Sequence, residues 1–114
     1  MGRTNTALTN LQTTLNSAGL TCVLDPRQAR PGAVLIDATS IEVSSVNGAQ
    51  ILLVVPVVAL DRPPANLDAS TRLNDLVDVI IDAVPAVSTR PGEFSVGGQD
   101  LPAVFVEVHW AASN

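Results

Sequence analysis

Ile51-Leu52-Leu53-Val54-Val55-Pro56-Val57-Val58-Ala59-Leu60 holds no polar side chain in ten residues. At that length it is too short for a bilayer, which takes roughly 20 apolar residues in a helix. With Pro56 inside it, the run reads as a strand over residues 50–60. A strand wet on one side alternates polar and apolar residues, so this one is apolar on both faces of the pleat and both faces need cover. Pro56 cannot donate a ladder hydrogen bond, which implies a bulge or an edge position at that point.

Outward from this strand, Asn47-Gly48 is the strongest two-residue hairpin signal in the chain and predicts a preceding strand over about 33–43. Upstream lie a short strand at 20–24, a turn at Asp25-Pro26-Arg27 and a second turn at Arg30-Pro31-Gly32. A first helix is expected from a Thr4 or Asn5 cap, with Leu8, Leu11 and Leu15 as its apolar stripe and Gly19 as its stop. Its other face carries Thr9, Asn10, Gln12, Thr13 and Asn16, with no charge from Thr4 to Gly19. Solvated helix faces usually carry Glu and Lys, so this neutral face fits a packed subunit contact better.

Downstream of the strand, Asp61 to Asn66 form a stiff polar loop, and Asn66 or Asp68 caps a second helix. Leu73, Leu76, Val77, Ile80, Ile81 and Val84 recur at helical spacing, and Pro85 ends the pattern. A short strand at 86–89, a turn at Arg90-Pro91-Gly92, a hairpin or loop at Gly97-Gly98 and a last strand at 103–110 follow. In the last strand Val104, Val106, Val108 and Trp110 face one way, and Phe105, Glu107 and His109 the other. The predicted fold is α+β: one domain over residues 1–114, with a mixed, mostly antiparallel sheet of about five strands flanked by two helices. If both helices cover one face of the sheet, the other face needs a partner, so oligomerisation is expected.

Composition narrows the function. Of 114 residues, 46% are hydrophobic and 15% charged, which is low for a solitary soluble protein and leaves surface for another protein. The net charge is −5, and the cations Arg3, Arg27, Arg30, Arg62, Arg72 and Arg90 are scattered, which argues against reading nucleic acid. The single cysteine, Cys22, sits in an apolar run and reads as a small buried hydrophobe. The N-terminal stretch has no apolar signal-peptide core, and no apolar run spans a membrane, so a soluble protein made in the cytoplasm is expected.

Catalytic chemistry finds few residues to work with. His109 is the sole histidine, and no glycine-framed serine is present. Glu107 and His109 share a strand face and could act as an acid–base pair or bind a metal, but two ligands without a third make a poor site. Asp75, Asp78 and Asp82 line the outer side of the second helix, as a solvated acidic face or as a surface that meets arginines of a partner or repels DNA in a channel. Acids toward a helix C-terminus oppose its dipole, at roughly 0.3–1 kcal/mol each. Neither an enzyme nor a cofactor is expected.

Ala7-Leu8, Leu11, Leu15 and Ala18-Gly19-Leu20, then Asp25-Pro26-Arg27 and Pro31-Gly32, resemble the opening of tail-terminator proteins of long-tailed (siphovirus-type) phages of actinobacteria. The helix at 73–84, Arg90-Pro91-Gly92-Glu93-Phe94 and Gly98-Gln99-Asp100-Leu101-Pro102-Ala103 continue the likeness over nearly the whole chain. The chain departs from that pattern in having no tyrosine and in carrying Val55-Pro56-Val57 within a strand. The resemblance implies a virion protein of the tail–neck region, assembled in the host cytoplasm as a homo-oligomeric ring, a hexamer. That ring sits at the head-proximal end of the tail tube, stops tube polymerisation and joins the head-side connector or adaptor. Its partners would be further copies of itself, the major tail tube protein and that connector, with DNA passing through without specific binding. The alternatives are a head-completion or connector-adaptor protein of the neck and a stand-alone ligand-binding domain. Arg27, Arg30 and Arg90, held in proline-bearing turns, and Glu93 beside the last of them are the expected subunit or partner contacts.

Overall fold

A computed structural model describes residues 2–47 and 50–113. The apolar run becomes the centre of the sheet. Strand β4 (Gln50–Leu60) pairs antiparallel along its whole length with β6 (Gln99–Ser113), from Gln50 opposite Ser113 to Leu60 opposite Ala103. Its other edge is shared by two shorter strands: β2 (Val34–Ile36) pairs with 57–59 and β3 (Glu42–Asn47) with 50–54. β1 (Cys22–Val23) runs parallel to β2, and β5 (Ala86–Val96) lies antiparallel on the far side of β6. The six-stranded sheet thus has the order β1-β2-β4-β6-β5, with β3 beside β4. Helix α1 (Arg3–Ser17) precedes β1, and α2 (Leu67–Ala83) lies between β4 and β5. The class is α+β, as the pattern of elements predicted.

Pro56 is neither at an edge nor in a bulge. It stands opposite Glu107 of β6, and its carbonyl accepts a hydrogen bond from Asp37 N at 2.9 Å. A strand residue's own N and O point to the same side, so the missing N–H of Pro56 faces the gap between β2 and β3. There the chain leaves the sheet for a 3-10 turn at Ala38–Ser40, and no ladder bond is lost. Asp37 builds that turn: its Oδ1 accepts from Thr39 N at 3.2 Å and from Thr39 Oγ1 at 2.7 Å. The single strand predicted at 33–43 is therefore two strands separated by a capped turn. The short polar side chain competes with the ladder for backbone donors. Asn47 pairs with Gln50 across the β3–β4 ladder, and Gly48 of the predicted hairpin signal lies outside the described residues.

Both helices cover the same face. Leu8, Leu11 and Leu15 of α1 and Leu73, Val77 and Ile80 of α2 pack with Leu53, Val55, Val57, Val106 and Val108 in the main core. Trp110 fastens β6 to α1 by donating from Nε1 to the Ala7 carbonyl at 2.9 Å. A second, smaller core on the opposite face joins Leu35, Val58, Leu60, Leu101 and Ala103 to Val23 and Ala29. It covers that face only toward the Leu60 end of β4.

The helix boundaries hold one correction at each helix. The N-cap of α1 is Gly2, with no side-chain cap bond, so Thr4 and Asn5 are already helical. In α2 the cap is Asn66, one of the two residues read for it: its Oδ1 accepts from Ala69 N at 3.0 Å, and Asp68 lies in the first turn. Ile81, expected in the stripe, is 47% exposed because it lies past the edge of the contact that buries Val77 and Ile80. Gly19, with φ +98°, stops α1, and Gly97 and Gly98, both at positive φ, turn the β5–β6 hairpin.

The neutral face of α1 works partly within its own chain. Asn16 Oδ1 accepts from Cys22 N at 2.8 Å, and Gln12 Nε2 donates to the Cys22 carbonyl at 3.1 Å. These two side chains occupy the outer edge of β1, which would otherwise be open for pairing. Thr9, Thr13 and Thr14 return their hydroxyls to carbonyls one turn back.

Asp61, in the loop read as simply polar, is 5% exposed, and its Oδ2 accepts from Arg72 Nε at 2.7 Å. Arg72→Ala leaves that carboxylate buried without a cation, and a loss of about 2 kcal/mol is expected from urea denaturation midpoints. Burial pushes the Cys22 thiol from its ordinary 9.0 up to about 12. Iodoacetamide at mildly alkaline pH should therefore label Cys22 only after denaturation. The unfolded thiol ionises first, so stability should fall as pH rises from about 9 toward 12, and Cys22→Ala should remove that slope.

Candidate interaction surface

The half of the sheet that neither core covers is built by alternation. The even residues of β4 face away from the helices, so Leu52, Val54 and Pro56 are half-buried where Leu53, Val55 and Val57 are fully buried. Phe105, Glu107 and His109 of β6 share this outer face, as their alternation predicted. Glu42 joins them from β3, because it stands opposite Val54.

Between Glu42, Val54, Pro56, Arg90, Phe105 and Glu107 lies an open hollow of about 280 Å³. A second hollow of about 420 Å³, almost wholly apolar, is formed by Leu52, Pro85, His109, Trp110 and Ala111. Glu107 Oε2 and His109 Nε2 are 3.2 Å apart on the ridge they share, an ion pair only when the imidazole is protonated. Among the described residues no three His, Cys, Asp or Glu side chains gather as metal ligands.

Arg90-Pro91-Gly92 is a correction. It was expected to turn the chain, yet it runs straight through β5 with its residues paired to Phe105, Val104 and Ala103. The turn is made later, by Gly97-Gly98. Gly92 has a packing role instead. A Cβ there would lie 2.9 Å from Phe105 Cε2, so the missing side chain leaves room for the ring. Arg90 Cζ sits 5.3 Å from the centroid of the same ring, and Phe94 is 6.5 Å away at a tilted angle. Pro91 serves the free edge. Pro102 O accepts from Asp61 N on the β4 side, so the opposed Glu93 and, two residues on, Pro91 direct their backbone groups outward. A proline at that place removes a donor from the outer edge and blunts it against strand addition.

The predicted contact residues do not form one patch. Arg27 is held by its own turn: Nη2 lies 2.8 Å from Asp25 Oδ2, and Asp25 Oδ1 accepts from Arg27 N. That hydrogen-bonded pairing lowers the Asp25 carboxyl below its usual range and raises the Arg27 guanidinium. Arg30 is exposed in the same loop. Arg90 lies on the open sheet face, whereas Glu93, opposite Pro102, is directed to the other face of the hairpin. Asp75, Asp78 and Asp82 are all exposed on the outer side of α2.

The hollow beside Glu42 and Val54 escaped sequence reasoning because β3 was read as part of a longer strand that ended at Val43. The Gly92–Phe105 stack was missed because Arg90-Pro91-Gly92 was read as a turn, which hid the place of Gly92 inside a strand. Compared with known proteins, the chain matches no protein-family model and no curated sequence.

Gly92→Ala should displace the Phe105 ring and cost about 1 kcal/mol, although alanine loses less backbone entropy on folding than glycine. Denaturation midpoints of Gly92→Ala, Phe105→Leu and the double variant should show a non-additive pair.

Proposed function

We propose that this chain is a structural protein of the phage tail–neck region, a tail terminator. Its copies form a ring, in the reading a hexamer, at the head-proximal end of the tail tube. The ring ends tube polymerisation and offers its other surface to the head-side connector or adaptor. The reading is carried by one observation: the outer sheet face at Leu52, Val54 and Pro56 is apolar and neither helix covers it. Such a face is stable in water when another protein closes it. A ring supplies that cover to every copy by the same contact. The net charge of −5 and the exposed Asp75, Asp78 and Asp82 suit a ring through which DNA passes without sticking, since like charge weakens phosphate contact.

The resemblance of the turn and core motifs to actinobacterial phage tail terminators supports the choice among ring-forming proteins. Deleting the gene in its phage or prophage and imaging the lysate by negative-stain electron microscopy tests it. Abnormally long, ragged, headless tails beside unjoined heads are the expected result. Tails of normal length that fail to attach would move the protein to a neck adaptor, and normal virions would overturn both.

A further inference from the structure

The open hollow on the sheet has a complement elsewhere on the same chain. Its floor is Val54 and Pro56, and its charged rim is Glu42, Glu107 and Arg90, one net negative charge. Arg90 is engaged over Phe105 and Glu107 beside His109, while Glu42 has no ion partner among the described residues. The loop that follows β4 has the opposite character. Arg62, Pro63, Pro64 and Ala65 are all exposed, Arg62 has no ion partner among the described residues, and Leu67 is 80% exposed, the most of any large hydrophobic side chain among the described residues.

We infer that the Arg62–Asn66 loop of one copy, with Leu67 at the start of α2, seats in the sheet hollow of a second copy, Leu67 and the prolines on Val54 and Pro56, Arg62 on Glu42. This deepens the ring reading above and rests on it. The two surfaces cannot meet within one chain. Both lie along β4, but Val58 and Leu60 of the second core fill the same sheet face between them. The contact joins unlike surfaces, so repetition runs head to tail, and a closing rotation makes a ring. A 280 Å³ hollow matches a short apolar insertion and not a whole helix. The α2 helix of a second copy is also excluded by charge, because its exposed face carries Asp75, Asp78 and Asp82 against the Glu42–Glu107 rim. Proline fixes the loop backbone before docking, so little ordering entropy is lost.

The test uses the full chain in native mass spectrometry and light scattering. Arg62→Glu with Leu67→Asp removes the loop contact, and Glu42→Arg removes the rim contact. All positions are exposed, and circular dichroism checks that each variant is folded. The native chain should assemble and each variant alone should be monomeric at the same concentration. An equimolar mixture of the two should stop at a one-to-one dimer, since it retains a single working pair of surfaces. Combining Arg62→Glu and Glu42→Arg in one chain should restore assembly. Native-sized assemblies from both variants would overturn this contact while leaving the ring reading standing. A native chain that stays monomeric at every concentration would overturn both, and a partner other than itself would then cover the hollow.

Discussion

Strand β4 must satisfy two backbone edges and two apolar faces at once, and the rest of the molecule is arranged by that demand. Each buried N–H and C=O in its eleven residues needs a partner. β6 serves one edge over the full length, while β2 and β3 divide the other. The proline in the middle is tolerated because it falls at that division, where the neighbour has turned away around Asp37. Burying a single Val, Leu or Ile contributes about 1.5–3 kcal/mol, so Leu53, Val55 and Val57, fully covered by the two helices, outweigh any single polar contact in the chain.

The faces are satisfied unequally. α1 and α2 share one side with the main core, and the smaller core closes the other only near Leu60. What remains is an apolar floor at Leu52, Val54 and Pro56 bounded by charged side chains. Two of the free edges are managed separately: Gln12 and Asn16 occupy β1, and Pro91 interrupts β5, while β3 pairs with β4 alone among the described residues.

Charge follows the same division. Asp61 is buried and held by Arg72, and Asp25 and Arg27 neutralise each other within one turn. The exposed acids Asp75, Asp78 and Asp82 have no such local partner among the described residues, so the negative character of the protein is concentrated on α2. A surface of this kind discourages phosphate contact.

The sequence alone determined the elements whose signals are local. The 50–60 strand, a helix cap at Asn66 or Asp68, the Gly19 stop, the Gly97-Gly98 turn and the facing of Phe105, Glu107 and His109 follow from period, capping and left-handed backbone. The need for cover on both faces of the central strand was equally legible, because polarity per residue is a sequence property. Tertiary structure decided what depends on neighbours far along the chain. It broke the 33–43 stretch into two strands, because Asp37 meets β4 where Pro56 has no donor. It drew Arg90-Pro91-Gly92 into β5, because β6 offers a continuous ladder and Phe105 needs the space above Gly92. It buried Asp61, because Arg72 lies one helix turn into α2 within reach. The open hollow arises from both strands adjoining β4 at once, a juxtaposition that no local pattern encodes.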